Sequence, residues 1–161
     1  MALKPTIYKF DIALADMDRD LYESLWLTVA QHPSETLERM LVRVLARCLY
    51  HHDELTFTRG LSENDEPDLW QKSLDGRIKH WIEVGEPSAE RLKKAARQAE
   101  AVTVVAFNTK TDAWWNNLSG NRPAASVFRF DWAGIHELAA LLDRTGELSV
   151  TINRPSVFVA A

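Results

Sequence analysis

The chain reads as an α/β protein, a mixed β-sheet flanked by helices. Two observations predict this. Residues 6–14 and 22–30 alternate apolar and polar positions, the period of half-buried strands. From residue 88 onward, helical spacing and short apolar runs take turns, as in crossover connections between parallel strands. Strand pairing first and helix–strand alternation later together imply a sheet containing both kinds of pairing.

Composition narrows the class. The 161 residues are 46% apolar and 26% charged, as in an ordinary globular protein. One domain over 1–161 with one core is expected. The net charge of −4 argues against bulk polyanion binding, because Lys and Arg neutralising phosphates carry much of that affinity. A local basic patch still leaves nucleic acid as a candidate partner. Cys48 is the sole cysteine, so no intramolecular disulfide forms, and its apolar helical setting marks a small core residue. The first residues lack the apolar run of a signal peptide, and no stretch of 18 apolar residues exists to span a membrane. A cytoplasmic location without a membrane partner is expected.

In the first strand Tyr8, Phe10, Ile12 and Leu14 share a face, and in the second Leu25, Leu27 and Val29 do. Between them lies Asp16-Met17-Asp18-Arg19-Asp20. Its spacing opens like a calcium loop, but Leu21 replaces the required glycine and Leu27 the closing glutamate. The turn chemistry of aspartate predicts a plain hairpin instead. Ser34, after Pro33, is the predicted N-cap of a helix over 34–49, and Glu35 suits its positive end. Leu37, Met40, Leu41, Val44, Leu45, Cys48 and Leu49 recur there at helical spacing. Glu35, Arg39, Arg43 and Arg47 step by four and read as a solvent-facing ladder of ion pairs. Glu38 borders the apolar arc beside Leu41 and Leu45. His51-His52-Asp53-Glu54 reads as an exposed turn at the helix end. A helix over 88–98 and a strand over 101–107, apolar enough to be buried on both faces, come next. A helix over 111–118, a strand over 126–130, a helix over 132–142 and a strand over 148–153 complete the reading.

The stretch that carries chemistry centres on Asp75-Gly76, a two-residue hairpin signal. With those two as the loop, paired residues sum to 151, so Leu74 faces Arg77, Trp70 faces Trp81 and Leu69 faces Ile82. Asp68 then faces Glu83, with Cβ atoms about 4.5–5.5 Å apart. Like charges directly opposite repel, and Trp81, Ile82 and Val84 desolvate Glu83. A basic side chain, a shared proton or a cation has to offset this. Mg²⁺ takes one or two carboxylates and keeps several waters. One expectation is therefore a metal on Asp68 and Glu83, with the Val84 carbonyl as a further ligand. The other is a structural pair satisfied by Arg or Lys.

A resemblance adds to this reading. His32-Pro33-Ser34-Glu35-Thr36 with Arg39-Met40, Asp65-Glu66-Pro67, Trp81-Ile82-Glu83 with Gly85, and Lys93-Lys94-Ala95 resemble the YaeQ family over nearly the whole chain. That resemblance implies the restriction-endonuclease-like fold named for its PD-(D/E)XK motif, a mixed sheet with helices on both faces. It also implies a Mg²⁺- or Mn²⁺-dependent phosphodiester hydrolase, with Pro67-Asp68 and Glu83 as the metal-binding carboxylates. Glu38 best matches the additional glutamate of the first core helix, with Glu35 second. The motif lysine, which would orient the attacking water, is replaced by Gly85. Lys94 on the following helix is the candidate substitute, and Lys79 the alternative. Arg91 and Gln98, on the side of Lys94, are the candidate phosphate-binding residues. The competing expectation is a non-catalytic member of the fold that acts through protein or nucleic-acid contacts.

Overall fold

The computed structural model describes residues 4–60, 65–118 and 125–161. Its strands form two sheets rather than the expected single one. Strands β1 (Thr6–Asp16) and β2 (Leu21–Gln31) pair without interruption from Thr6 opposite Gln31 to Asp16 opposite Leu21. The aspartate-rich turn between them is a hairpin turn, as expected, with Asp20 at φ +52°. Asp16 is wholly buried and accepts from Arg19 Nε at 2.7 Å and Arg154 Nη1 at 3.0 Å. Arg154 also donates to the Leu49 carbonyl at 2.6 Å, tying the turn to the end of the first helix.

The second edge of β1 pairs in parallel with β8 (Thr145–Asn153), which pairs antiparallel with β9 (Ser156–Ala160). This four-stranded sheet runs β2-β1-β8-β9. The other sheet runs in sequence order through β3 (Leu55–Phe57), β4 (Leu69–Lys72), β5 (Ile78–Val84), β6 (Ala99–Ala106) and β7 (Ser126–Arg129). Its first three strands are antiparallel and its last three parallel. Both sheets are mixed, and the class is α+β with four helices among the described residues.

Helix α1 (Leu37–Leu49) lies between the two sheets. Phe10, Ile12, Leu14, Val150 and Ile152 cover it from one side, and Leu69, Ile82, Val84 and Val105 from the other. Every residue from Met40 to Leu49 is buried. The ladder Glu35, Arg43 and Arg47 therefore does not face solvent; these residues are only 6–8% exposed. The helix has no solvent side for them to occupy, so Arg43 is matched by Glu35 and Arg47 is bonded to the His51 ring. His51 is buried by the same packing and sits 2.8 Å from Arg47 Nη1, while His52, Asp53 and Glu54 are exposed as expected. Burial, and then the Arg47 charge, push the His51 imidazole below its usual range. The helix also starts later than predicted. Thr36 is the N-cap, accepting from the Arg39 amide, because residues 32–35 form a turn in which the Glu35 amide bonds the His32 carbonyl.

Helix α4 (Trp132–Ala139) joins α1 on one face of the five-stranded sheet. Helices α2 (Ala89–Gln98) and α3 (Thr111–Asn117) cover the other face through Trp81, Leu92, Ala95, Val102, Val104 and Leu118. Cys48 is a buried core residue, and burial pushes its thiol up to about 12. Among the described residues no helix is long and apolar enough to cross a membrane.

Candidate functional site

The β4–β5 hairpin sets the site. The predicted 151 register holds over three pairs: Leu69 faces Ile82, Trp70 faces Trp81 and Gln71 faces His80. The predicted turn does not hold. The loop is longer, with the Ser73 amide donating to the Arg77 carbonyl and Gly76 at φ +86°. That lengthening shifts the register by one, and Lys72 pairs with Ile78. A bulge at Lys79 then shifts it back. Two irregularities cancel because the inward face of β5 has to stay inward, and a net slip of one would turn Ile82 to the opposite face.

Asp68 lies one residue before β4 and is 3% exposed. Its amide donates to the Ile82 carbonyl at 3.0 Å, one residue short of the Glu83 that the 151 register predicts; the β4–β5 ladder ends at Leu69 opposite Ile82, and the expected facing pair of acids is not formed. One carboxylate oxygen accepts from Arg39 Nη2 at 2.7 Å and the other from the Val84 amide at 2.8 Å. Arg39 also donates to the Val84 carbonyl at 3.2 Å and to Glu35 at 2.6 Å. Burial works against the Arg39 charge, but Asp68 and Glu35 prevail and hold its guanidinium above the usual range. Glu35 in turn takes two bonds from Arg43, at 2.7 and 2.9 Å. A cavity of about 450 Å³ opens beside this chain, bordered by Glu35, Arg39, Arg43, Thr58, Gly60 and Asp68.

Glu83 is 5% exposed and served from the other face of the sheet. Arg91 Nε reaches both its oxygens, at 2.9 and 3.0 Å, and Trp81 Nε1 donates at 2.9 Å. Burial raises the Glu83 carboxyl above its usual range; the Arg91 bond opposes this and the Asp68 charge adds to it. A raised folded pKa means that the native state binds the proton more tightly than the unfolded chain. The Glu83 contribution to stability is then full below the ordinary glutamate range and declines as pH rises through the folded value. Urea midpoints measured across that window are expected to fall for wild type and to stay flatter for Glu83→Gln. Parallel curves would refute the assignment.

The other candidates lie differently from the sequence expectation. Glu38 turns away from the carboxylate pair and accepts from His136 of α4 at 3.0 Å. Glu35, the second choice, is the glutamate that connects to Asp68, through Arg39. It precedes the helix, so its side chain folds back along one edge of α1, whereas Glu38 sits on the turn that faces α4. Lys94 bonds Asp65 at 3.0 Å and its side chain is 60% exposed. The reason is geometric. Helix α2 is a crossover between the parallel strands β5 and β6, so it runs back from the carboxyl end of β5. At a rise of about 1.5 Å per residue, Lys94 lies about 4.5 Å further along the axis than Arg91. Gln98 is a turn beyond and donates to the Lys94 carbonyl. Lys79, the alternative, pairs with Glu100. Arg91, expected to hold phosphate, serves Glu83 and donates to the Glu66 carbonyl at 2.7 Å. Gly85 has φ +112°, a conformation that costs a side-chain-bearing residue about 1–3 kcal/mol, so a lysine there is disfavoured by backbone as well as by sequence. Among the described residues no group of three or more His, Cys, Asp and Glu side chains is placed to hold a metal ion.

Sequence reasoning missed Arg39, the residue that joins the first helix to Asp68. It also missed Trp81 as a donor to Glu83, and Arg59, which pairs with Glu66 at 2.6 Å. A usable signal existed for Arg39. Between Met40 and Leu49 only Arg43 and Arg47 are polar, and a helix apolar nearly all round is a buried one whose charges need internal partners.

The family model described as YaeQ protein matches residues 1–161. The YaeQ protein of Salmonella typhi is 40% identical over 164 residues, covering 99% of this chain and 91% of the relative. That of Escherichia coli K12 is 42% identical over 156 residues, covering 94% and 86%. The crystal structure of the YaeQ protein from Xanthomonas axonopodis pv. citri superposes with a TM-score of 0.90 at 36% identity, covering 98% of this chain and 91% of that one. The YaeQ protein from Pseudomonas syringae gives 0.90 at 40% identity, covering 96% and 88%. With the family model and relatives spanning it at this identity, the chain belongs to the YaeQ family.

Proposed function

We propose that this chain is a non-catalytic interaction module built on a restriction-endonuclease-like core, in which the carboxylates of a degenerate PD-(D/E)XK site serve as counter-ions of arginines. The observation that carries the reading is the separate saturation of the two acids. Asp68 is taken by Arg39 and the Val84 amide, and Glu83 by Arg91 and Trp81. Arranged in this way the pair does not fit Mg²⁺ or Mn²⁺, since a cation would have to displace two buried charge-assisted bonds that are stronger than neutral ones. The nuclease-like core is supported by Pro67-Asp68 and Glu83 on the two arms of one hairpin, and by helices on both faces of the five-stranded sheet. A protein partner is favoured over nucleic acid. The net charge is −4, and Arg39, Arg59 and Arg91 near the site are engaged by carboxylates.

Melting in the presence of Mn²⁺ tests the proposal. A metal site with a dissociation constant near 1 mM would gain about 1.4 kcal/mol in 10 mM Mn²⁺, roughly 3–5 °C for a domain of this size. No such shift is expected. A shift that appears in wild type and vanishes in the double variant Asp68→Ala, Glu83→Ala would restore the metal-dependent nuclease reading.

A further inference from the structure

The free edge of β2 is the feature of the molecule that the site does not explain. The strand is 11 residues long and stands at the end of its sheet. The other sheet edges are short: β3 has 3 residues, β7 has 4 and β9 has 5. Short edges are one way proteins avoid unwanted pairing; lysine, proline and bulges are others. β2 has no lysine, proline or bulge, and its one such device is the charge of Glu23 opposite the inward Leu14. Its ladder with β1 is unbroken, and Glu23 is its single charged residue. At its far end the Ala30 carbonyl is occupied by Arg43 at 2.8 Å.

Burial points the same way. On β1 the inward residues Phe10, Ile12 and Leu14 are at most 3% exposed. On β2 the inward Val29 is 1% exposed, but Leu21, Leu25 and Leu27 are only partly buried, although they pack against the same core. They lack a neighbouring strand. On the outward face Trp26 is 75% exposed and Tyr22 60%. Trp26 is also the middle residue of the strand.

We infer that β2 is a self-association edge, and that its partner is the β2 strand of a second copy of this chain, antiparallel about a two-fold axis at Trp26. The strand is complementary to itself in that register. Trp26 meets Trp26, Leu25 meets Leu27, and Ser24 meets Thr28. Glu23 meets Val29 and stays about 20 Å from its own copy, given a strand rise near 3.4 Å, so no like charges meet. Aromatic and aliphatic cross-strand pairs are favourable ones. The pairing would form about 8–10 backbone hydrogen bonds, close to the number in a typical stable interface. It joins two four-stranded sheets into one of eight. This surface belongs to the other sheet from the carboxylates, and the inference does not depend on the proposed function.

Sedimentation velocity of the full chain tests it, with Trp26→Lys as the variant. Wild type at about 100 μM, where an interface of micromolar Kd is almost fully associated, is expected to sediment as a dimer of 18.3 kDa chains. Trp26→Lys sets two ammonium groups together at the axis and is expected to weaken association by about 100-fold or more, with the melting curve of a folded monomer. Should that variant misfold, Ser24→Lys, on the same outward face, carries the test. Trp26→Cys adds a positive arm: opposite Cα atoms of a bonded antiparallel pair lie about 5.5 Å apart, within disulfide reach, so mild oxidation is expected to cross-link it. A wild type that stays monomeric overturns the inference and leaves the edge for an extended segment of another protein. A dimer that persists in a folded lysine variant overturns it too, by placing the contact elsewhere.

Discussion

Glu35→Gln is expected to lower stability by about 3–5 kcal/mol, the range for breaking a buried ion pair from one side. Few surface substitutions exceed about 0.5 kcal/mol, so the effect is easily separated from background. The Glu35 side chain is 1% exposed and binds two arginines, Arg39 and Arg43, whose side chains are 18% and 8% exposed. Removing the charge leaves the largely buried Arg43 facing a neutral amide. Arg39 is less affected, because Asp68 still holds it at 2.7 Å. Urea denaturation at neutral pH measures the loss. A double-mutant cycle with Arg43→Met apportions it, since removing both charges restores an apolar match and is expected to recover part of the stability. A loss under about 1 kcal/mol for Glu35→Gln alone would show that the carboxylate is not the counter-ion this packing requires.

Asp68→Asn is expected to cost about 3 kcal/mol in excess chelator, again because a partly buried guanidinium loses its match. This result separates the two uses of the pair. If repulsion from Glu83 dominated, neutralising Asp68 would stabilise the metal-free protein by about 0.5–1 kcal/mol, the scale of a cross-strand pair. The geometry gives the sign. Asp68 accepts from Arg39 at 2.7 Å and from the Val84 amide at 2.8 Å, so its replacement leaves the Arg39 guanidinium without that counter-ion. A stability gain in chelator, together with a Mn²⁺ response that Asp68→Asn abolishes, would return the pair to the metal-binding reading.

The four pairs around the site, Asp65–Lys94, Glu66–Arg59, Asp68–Arg39 and Glu83–Arg91, also give the acidic segment 65–68 a structural role. Asp65–Lys94 is exposed at both ends and belongs with surface pairs, which contribute little. Asp68–Arg39 and Glu83–Arg91 are the desolvated ones, with both carboxylates under 10% exposed. The difference between Arg91 and Lys94 follows α2, whose first turn reaches Glu83 and whose later turns lead away from it.

The sequence by itself determined the local elements and one long-range register. Alternation in 6–14, helical spacing through Leu49 and the apolar run 101–107 each reflect burial on a repeating face, which a chain records residue by residue. It also brought Leu69 opposite Ile82 and Trp70 opposite Trp81, because both strands lie within one hairpin and the inward face of β5 admits a single register; one residue further, at Asp68, the pairing departs from it. Only the tertiary structure decided the rest. That β1 pairs with β8, some 136 residues away, splits the expected single sheet in two, and no periodicity encodes which strands meet. The split places α1 between two apolar surfaces, which turns a ladder read as solvent-facing into a buried network and makes Arg39 the partner of Asp68. The reading of Asp68 and Glu83 changes for the same reason: whether two acids call for a cation depends on which bases the fold brings to them, and Arg39 and Arg91 arrive from helices on opposite faces of the sheet.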